Sequence, residues 1–373
     1  MTARHVEIAV IGGGLVGAAI AFGLRALGLR LALVDEGDVA FRASRGNFGL
    51  IWVQGKGFGL PAYGAWTQRS ARTWPRLAAM LRESTGLDVA LRQTGGLHVC
   101  LSAHELDARV ARMSALLAQP CFERYDIDVL DHAGVAARLP GIGPDVVGGT
   151  WSNLDGDCNP LRLLRALHAA MAVAGSESIS ACAFVAIEPR AVGVVLRTAR
   201  GAIECNRVVL AAGLGNARLA PMVGLVAPVT PNKGHIMVTE RVAPFLAVPL
   251  ETIRQTDDGT VMIGDSQQVR GFDDALELPV LAALADRAAR VFPQLRGIRV
   301  NRTWAALRVM SPDGFPIYAQ SATHPGAFLA TCHSGVTLAA AHAYYLAPAI
   351  ADGCLPPEFH PFSAERFDVR ATA

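Results

Sequence analysis

The first 35 residues constrain this chain more than any other stretch. Val6-Glu7-Ile8-Ala9-Val10-Ile11 is a short, largely β-branched run of strand character, and Gly12-Gly13-Gly14-Leu15-Val16-Gly17 follows it directly. Ala18 to Leu27 then reads as a helix closed by Gly28 at a C-cap position. Leu29 to Val34 is a second apolar strand ending at Asp35, so the chain opens as a βαβ unit. Each glycine has its own physical role. Gly12 permits the tight turn, Gly14 lets backbone approach a pyrophosphate, and Gly17 lets helix and strand pack closely. The helix N-terminus adds unpaired N–H groups for the anion. Asp35, 18 positions after Gly17, is placed to accept a hydrogen bond from a ribose hydroxyl. Turn, flanking elements and acid together predict a dinucleotide site.

Composition narrows the class. The 373 residues are 51% apolar and 18% charged, which excludes disorder and, at about 150 residues per domain, allows two to three domains or one two-lobed unit. The net charge of +2 comes from 34 basic and 32 acidic side chains that are interspersed, which argues against a nucleic-acid partner. Seven cysteines with no C-x-x-C spacing disfavour a disulfide framework, a zinc site or an iron–sulfur cradle, so no metal site is expected. The first strand leads straight into glycines without a secretory pattern, and the expected location is cytoplasmic. Gly314 to Ala351 contains no Asp, Glu, Lys or Arg, but His324-Pro325-Gly326 and His333-Ser334-Gly335 interrupt it. It reads as a buried strand and helix, not a transmembrane segment.

Further along, Ala65 to Glu83 is expected to be helical with a break near Pro75, and His104 to Gln119 to form an amphipathic helix. Pro160 opens a helix to about Ala174, and Leu278 to Phe292 is another. Gly193 to Ala212 reads as two strands around Arg200-Gly201, and its apolar end, Val208 to Ala212, meets Gly213 like a parallel strand delivering a loop to a ligand. Pro228 to Gly264 is rich in strand-like segments, and internal repeats are not apparent.

GGGLVG at 12–17, ASRGN at 43–47, VVLAAG at 208–213, PVTPNKG at 228–234, ALRVMSPDGFPI at 306–317 and CHSGVTLA at 332–339 recur in a known order. With them the chain resembles, over nearly its whole length, the D-amino-acid oxidase, glycine oxidase and sarcosine oxidase (DAO) family of FAD-dependent oxidoreductases. Within that family ASRGNFGLIWVQGKG, followed by Pro61-Ala62-Tyr63, is most similar to the β (B) subunit of bacterial opine oxidases, and it is similar to that of D-hydroxyproline dehydrogenase. The resemblance implies an α/β chain with a discontinuous Rossmann-like FAD-binding domain and a second, mixed-sheet α+β substrate domain. The FAD-binding part would comprise 1–88, 150–226 and 307–373, and the substrate part 89–149 and 227–306. FAD is preferred to NAD on the residues too, because the strand, glycine and helix at Phe328 to Leu346 suit a second helix N-terminus aimed at the flavin end of a long cofactor.

The implied activity is oxidation of the C–N bond of a secondary amino acid, an opine such as octopine or nopaline, by hydride transfer to flavin. The imine would then hydrolyse to a 2-oxo acid and an amino acid. The chain would be the catalytic β subunit of a hetero-oligomer with α and small iron–sulfur subunits, and FMN could lie at a subunit interface. A D-hydroxyproline dehydrogenase β subunit, a D-amino-acid or glycine-type oxidase, and a noncatalytic flavin-holding subunit are the alternatives.

The resemblance places Arg308 at the arginine that grips the substrate carboxylate, a role suited to a planar guanidinium. Tyr63, His235 and Trp304 are pocket candidates, although lone residues of these types are more often satisfied core residues, and Lys56, between Gly55 and Gly57, could sit near the flavin or at a subunit contact, with a solvated loop lysine as the alternative. For the cofactor the candidates are Gly12, Gly14, Leu15, Val16 and Gly17, then Asp35 with Glu36. Ser44, Arg45, Asn47, Phe48 and Gly49 follow, with ordinary turn chemistry as the alternative. Val185 stands where the family places a valine whose main chain meets adenine, and Ala212 with Gly213 ends the delivering strand. His333, Ser334, Gly335, Val336 and Thr337 lead into the last helix, expected to begin at Gly335; family members often carry glycine at the position of Thr337. Where some relatives attach flavin through cysteine this chain has Ala306, which predicts noncovalent FAD.

Overall fold

In β1 (Arg4–Ile11) the side chains of Ile8 and Val10 enter one apolar cluster and those of Ala9 and Ile11 another, and all four are buried. A strand covered on both faces must be central, and it is. The chain is described by a computed structural model for residues 4–37, 43–173, 177–182, 184–190 and 192–367. After β1 come α1 (Leu15–Ala26) and β2 (Leu31–Val34), then β3 (Leu50–Ile51), α2 (Pro61–Thr85), β4 (Gly96–Cys100) and α3 (Ala103–Leu117). Next are β5 (Asp128–Asp131), α4 (His132–Arg138), β6 (Gly148–Ser152), β7 (Gly156–Asp157) and α5 (Pro160–Val173). β8 (Glu177–Ile179), β9 (Phe184–Pro189), β10 (Val194–Thr198) and β11 (Gly201–Leu210) return the chain to the first sheet. The last third holds α6 (Asn216–Leu219), β12 (Thr230–Arg241), β13 (Ile253–Gln255), β14 (Thr260–Ile263), α7 (Leu278–Val291), β15 (Val300–Met310), β16 (Ile317–Gln320) and β17 (Ala327–Thr331).

The eight-stranded sheet runs β16-β17-β11-β1-β2-β8, with β10 and β9 continuing from β11. β1 is parallel to both β2 and β11, and β11 to β17, so the carboxyl ends of three separated segments meet along one edge. Ligands of open α/β sheets bind at that edge. β13-β14-β12-β15 form a second, antiparallel sheet, and β4-β6-β5 a third. A parallel bridge between Leu97 and Leu250 joins these two, and their side chains share one apolar cluster with α7. β6 runs through the expected domain junction at 149/150 and β15 through that at 306/307, so both junctions fall inside strands. No helix among the described residues is long and apolar enough to cross a membrane.

The break expected near Pro75 is absent: α2 runs 25 residues through it. Proline has no N–H for the Ala71 carbonyl one turn back, and the Gln93 Nε2 amide donates to that carbonyl instead, at 2.8 Å. α3 begins where Ser102 Oγ accepts from the Glu105 N–H and Glu105 Oε2 accepts from the Leu101 N–H, a variant of the capping box. The last helix starts later than expected. Gly335 to Leu338 form a turn, closed by the Leu338 N–H on the Ser334 carbonyl, and helix follows from Ala339 to Asp352 with one wide turn at His342–Leu346. Thr337 explains the delay, because its side chain donates to the Leu50 carbonyl and accepts from the Trp52 N–H, tying the turn to β3.

Candidate active site

The glycine turn between β1 and α1 is forced by contact. Gly12 has φ +108°, and a Cβ there would lie 2.3 Å from the Ala211 carbonyl oxygen, while one at Gly17 would lie 1.9 Å from the Gly12 oxygen. Only glycine lets the end of β11 and the start of α1 converge on this turn. The Leu15 N–H donates to Ser44 Oγ at 2.9 Å, and His168 Nε2 meets the Gly13 carbonyl at 2.7 Å. Asp35 lies in the cleft wall with partners of its own. Its Oδ2 accepts from the Gly13 N–H at 2.7 Å and its Oδ1 from the Gly37 N–H at 2.8 Å, so the carboxylate is engaged by the protein's own backbone. Glu36, one residue on, shares the wall of the same cleft.

That cleft has a volume of about 590 Å³ and follows the carboxyl edge of the sheet from Gly12 past Gly213 to His333 and Gly335. A smaller cavity of about 170 Å³ lies beside it, and Ala43, Asn47 and His333 line both. Among the described residues, two buried polar atoms at these walls have no partner: Thr331 Oγ1 at the cleft and Trp52 Nε1 at the cavity. Buried donors and acceptors are rarely left unpaired, so both mark places where a bound group would complete the bonding.

The cavity holds charges of both signs. Arg308 on β15 donates through Nη1 to the Ser266 carbonyl at 2.7 Å and to Asn232 Oδ1 at 3.2 Å, and its Nη2 is 3.7 Å from Asp265 Oδ1. Burial lowers the Arg308 pKa and raises that of Asp265, while their mutual attraction opposes both shifts. Lys56 Nζ is 3.4 Å from Ser334 Oγ. Glu251 faces the same cavity and is hydrogen-bonded to His98 Nδ1. Burial would raise the Glu251 carboxyl, but His98, Arg109 and Lys56 outweigh it and hold it below the usual carboxylate range. Burial pushes His333 down to about 3, so its imidazole is neutral at physiological pH.

Of the residues singled out in the sequence, Arg308 and Lys56 line the small cavity. Tyr63 and His235 do not. The Tyr63 hydroxyl sits behind the wall, 2.9 Å from Ser334 Oγ, and its ring packs on Phe315. His235 is buried, pairs with Ser266 Oγ through Nδ1 and accepts from the Glu277 N–H through Nε2, so it anchors the 266–277 segment. Trp304 also lies outside the cavity lining and donates to the Gly46 carbonyl at 3.3 Å. Among the cofactor candidates, Gly12, Gly14, Leu15, Val16, Asp35, Glu36, Ser44, Asn47, Ala212, Gly213, His333 and Gly335 line the cleft, and Phe48, Ser334, Val336 and Thr337 the cavity. Arg45 is exposed and Gly49 packs tightly on the Cys158 carbonyl, and neither lines either space; Val185 belongs to β9, and its side chain lies outside the described part of the structure. Glu251 and Asp265 line the cavity without having been marked by any motif, and Trp52 lines it from within the ASRGNFGLIWVQGKG segment without having been singled out there. Only Asp265 carried a local signal: it follows Gly264 at a strand end and adopts φ +80°, a conformation Asp tolerates better than most residues.

The glycine turn, the open helix N-terminus and the Thr331 hydroxyl, which has no partner among the described residues, fit a dinucleotide held in the cleft. Comparison with known proteins agrees. The sequence model of a family described as FAD dependent oxidoreductase (DAO) matches residues 7–349. The B subunit of opine oxidase from Rhizobium meliloti is 44% identical over 366 residues, 98% of this chain and 99% of that protein. Its counterpart in Agrobacterium tumefaciens is 44% identical over 97% of this chain and 98% of its own length. Glycine oxidase of Pseudomonas putida is 28% identical over 90% of this chain and 92% of that protein. Among solved structures, glycine oxidase from Geobacillus kaustophilus superposes with a TM-score of 0.86 at 24% identity, over 96% of this chain and 98% of that one, which establishes the shared fold.

Proposed function

The chain belongs to the DAO family of FAD-dependent oxidoreductases, and from that premise we propose that it oxidises the C–N bond of an opine, a secondary amino acid such as octopine or nopaline. The observation that carries the proposal is the Arg308 guanidinium in the wall of a cavity that shares Ala43, Asn47 and His333 with the cleft beside it. The opine class is favoured by the 44% identity to the B subunits of two opine oxidases over nearly their full length.

FAD, when bound, supplies the hydride acceptor. The chain's own residues position the rest. The Gly12–Gly17 turn and α1 would receive the pyrophosphate, with Ser44 steadying the Leu15 N–H, and Asp35 in the cleft wall keeps lone pairs for a ribose hydroxyl beside the two backbone N–H groups it accepts. The Gly335–Thr337 turn presents backbone to the flavin end. Ser266 and Asn232 fix Arg308 through Nη1, so a substrate carboxylate meets the Nη2 edge and displaces Asp265 from it. Phe48, Trp52, Ile236 and Val336 keep the neighbouring wall apolar and exclude water while the C–N bond is oxidised. A neutral His333 serves as a hydrogen-bond partner rather than a proton store. The resulting imine hydrolyses in water to a 2-oxo acid and an amino acid. FAD is held noncovalently. The proposal further includes α and iron–sulfur partner subunits, an FMN at their interface and a cytoplasmic setting; the two opine oxidase relatives, each named as one subunit of a larger enzyme, support the partners.

Anaerobic bleaching of the flavin by octopine, nopaline, D-hydroxyproline and glycine tests the reading. Opines should bleach it fastest, and a chain bleached only by D-hydroxyproline or glycine would belong with those substrates instead. Arg308→Ala should abolish substrate-dependent reduction with FAD retained, whereas a noncatalytic holder of flavin would show no substrate-dependent reduction in either form.

A further inference from the structure

The small cavity contains more charge than carboxylate binding requires. Arg308 and Lys56 meet the needs of an α-carboxylate, yet Glu251 and Asp265 line the same 170 Å³ space. Asp265 has a role already, as the counter-ion 3.7 Å from Arg308 Nη2. Glu251 has none toward Arg308. It enters the cavity because the Leu97–Leu250 bridge and the Glu251 N–H on the Leu97 carbonyl tie its segment to β4, and His98 on β4 then takes Glu251 Oε2. Its second oxygen, Oε1, accepts no hydrogen bond among the described residues, and Arg109, Lys56 and His98 keep the group ionised. The same cavity is lined by Trp52, whose indole N–H is buried and has no partner among the described residues. An ionised carboxylate with an open oxygen and an open donor, in one cavity that already holds a guanidinium, form a receptor for a molecule with both a cationic and an anionic end.

We propose that Glu251 binds the cationic head of the amine donor, a guanidinium or ammonium at the far end of the substrate, while Arg308 takes its α-carboxylate. Glu251 is thereby the residue that selects opines built on basic amino acids over those built on neutral ones. The inference rests on the opine reading above and adds the residue that sets the head group.

The test is a substrate comparison by anaerobic flavin reduction on the holoprotein, using an arginine-derived opine and an alanine-derived opine. Wild type should prefer the arginine-derived compound. Glu251→Gln, which keeps the shape and an acceptor for His98, should raise KM for the cationic opine about 10- to 100-fold with kcat little changed, the loss expected of one charge-assisted hydrogen bond, and leave the neutral opine unaffected. Glu251→Asp should retain most of the preference. On the wild-type protein alone, free arginine should inhibit at least tenfold better than citrulline, its uncharged near-isostere, which keeps the idea testable if the variants do not fold. Equal inhibition by the two, or a Glu251→Gln protein that loses both opines alike, overturns the assignment while leaving the opine reading intact. A wild type that no opine reduces takes both down together.

Discussion

Gly234→Ala isolates the Arg308 anchor without touching it. Gly234 is paired with Ala306 across β12 and β15, two positions along from the Asn232–Arg308 pair, and the guanidinium lies over it. A Cβ at 234 would sit 2.3 Å from Nη1, 2.5 Å from Cζ and 2.6 Å from Nη2, where ordinary contact begins near 3.4 Å. The head must therefore move by about 1.1 Å, the difference between 3.4 and 2.3 Å, or the strands must part. A shift of that size is enough to break the 2.7 Å bond to the Ser266 carbonyl and to misalign the edge offered to a carboxylate. One charge-assisted hydrogen bond contributes about 1.5–3 kcal/mol, so substrate affinity should fall about 10- to 150-fold. Gly234 has no positive φ, so alanine strains no backbone there. Melting temperature and flavin content should stay near wild type while an anaerobic equilibrium titration, followed at the flavin absorbance, moves to higher substrate. Unchanged affinity would show that the carboxylate is bound elsewhere; loss of flavin with unchanged affinity per remaining site would show that Gly234 supports the cofactor instead.

Acid precipitation should release all yellow colour into the supernatant, as Ala306 offers no thiol to the flavin; colour left in the pellet would refute noncovalent binding. Gln93→Ala should cost about 1–3 kcal/mol in denaturant unfolding, because it strips the buried Ala71 carbonyl of the donor that Pro75 cannot supply. Asp155 is fully buried, and burial pushes its carboxyl up to about 7 against the N–H groups of Val53 and Gln54. Its folded pKa lies above the unfolded 3.8, so the native state binds more protons between those values and this group's contribution to stability declines as pH rises through that window. Asp155→Asn should remove that decline, and equal pH dependence of melting in both proteins from pH 5 to 8 would refute the assignment.

How much of this could be read without a fold depends on the range of the interactions. The βαβ opening was legible because strand alternation, the glycine turn and the helix C-cap are set by neighbours within a few residues, and Gly12 adopts the φ +108° that such a turn demands. The resemblance singled out Arg308, which the structure places on β15 in the cavity wall. What the sequence did not show at Asp35 is its partner, the Gly13 N–H 22 residues away, which only the folded turn brings within reach. Pro75 was read as a helix breaker because the amide that replaces its missing donor comes from outside the helix.

The chain's own order of residues determined the central parallel strands, the glycine cradle and the chemistry of the guanidinium, since these follow from side-chain period and local backbone geometry. Tertiary structure alone decided that His98 and Glu251, 153 positions apart, share a hydrogen bond, that Tyr63 stands behind the wall, and that cleft and cavity meet at Asn47 and His333. Those placements depend on how the antiparallel sheets dock against the parallel one, and burial of apolar faces drives that docking without leaving a periodic mark on any single segment.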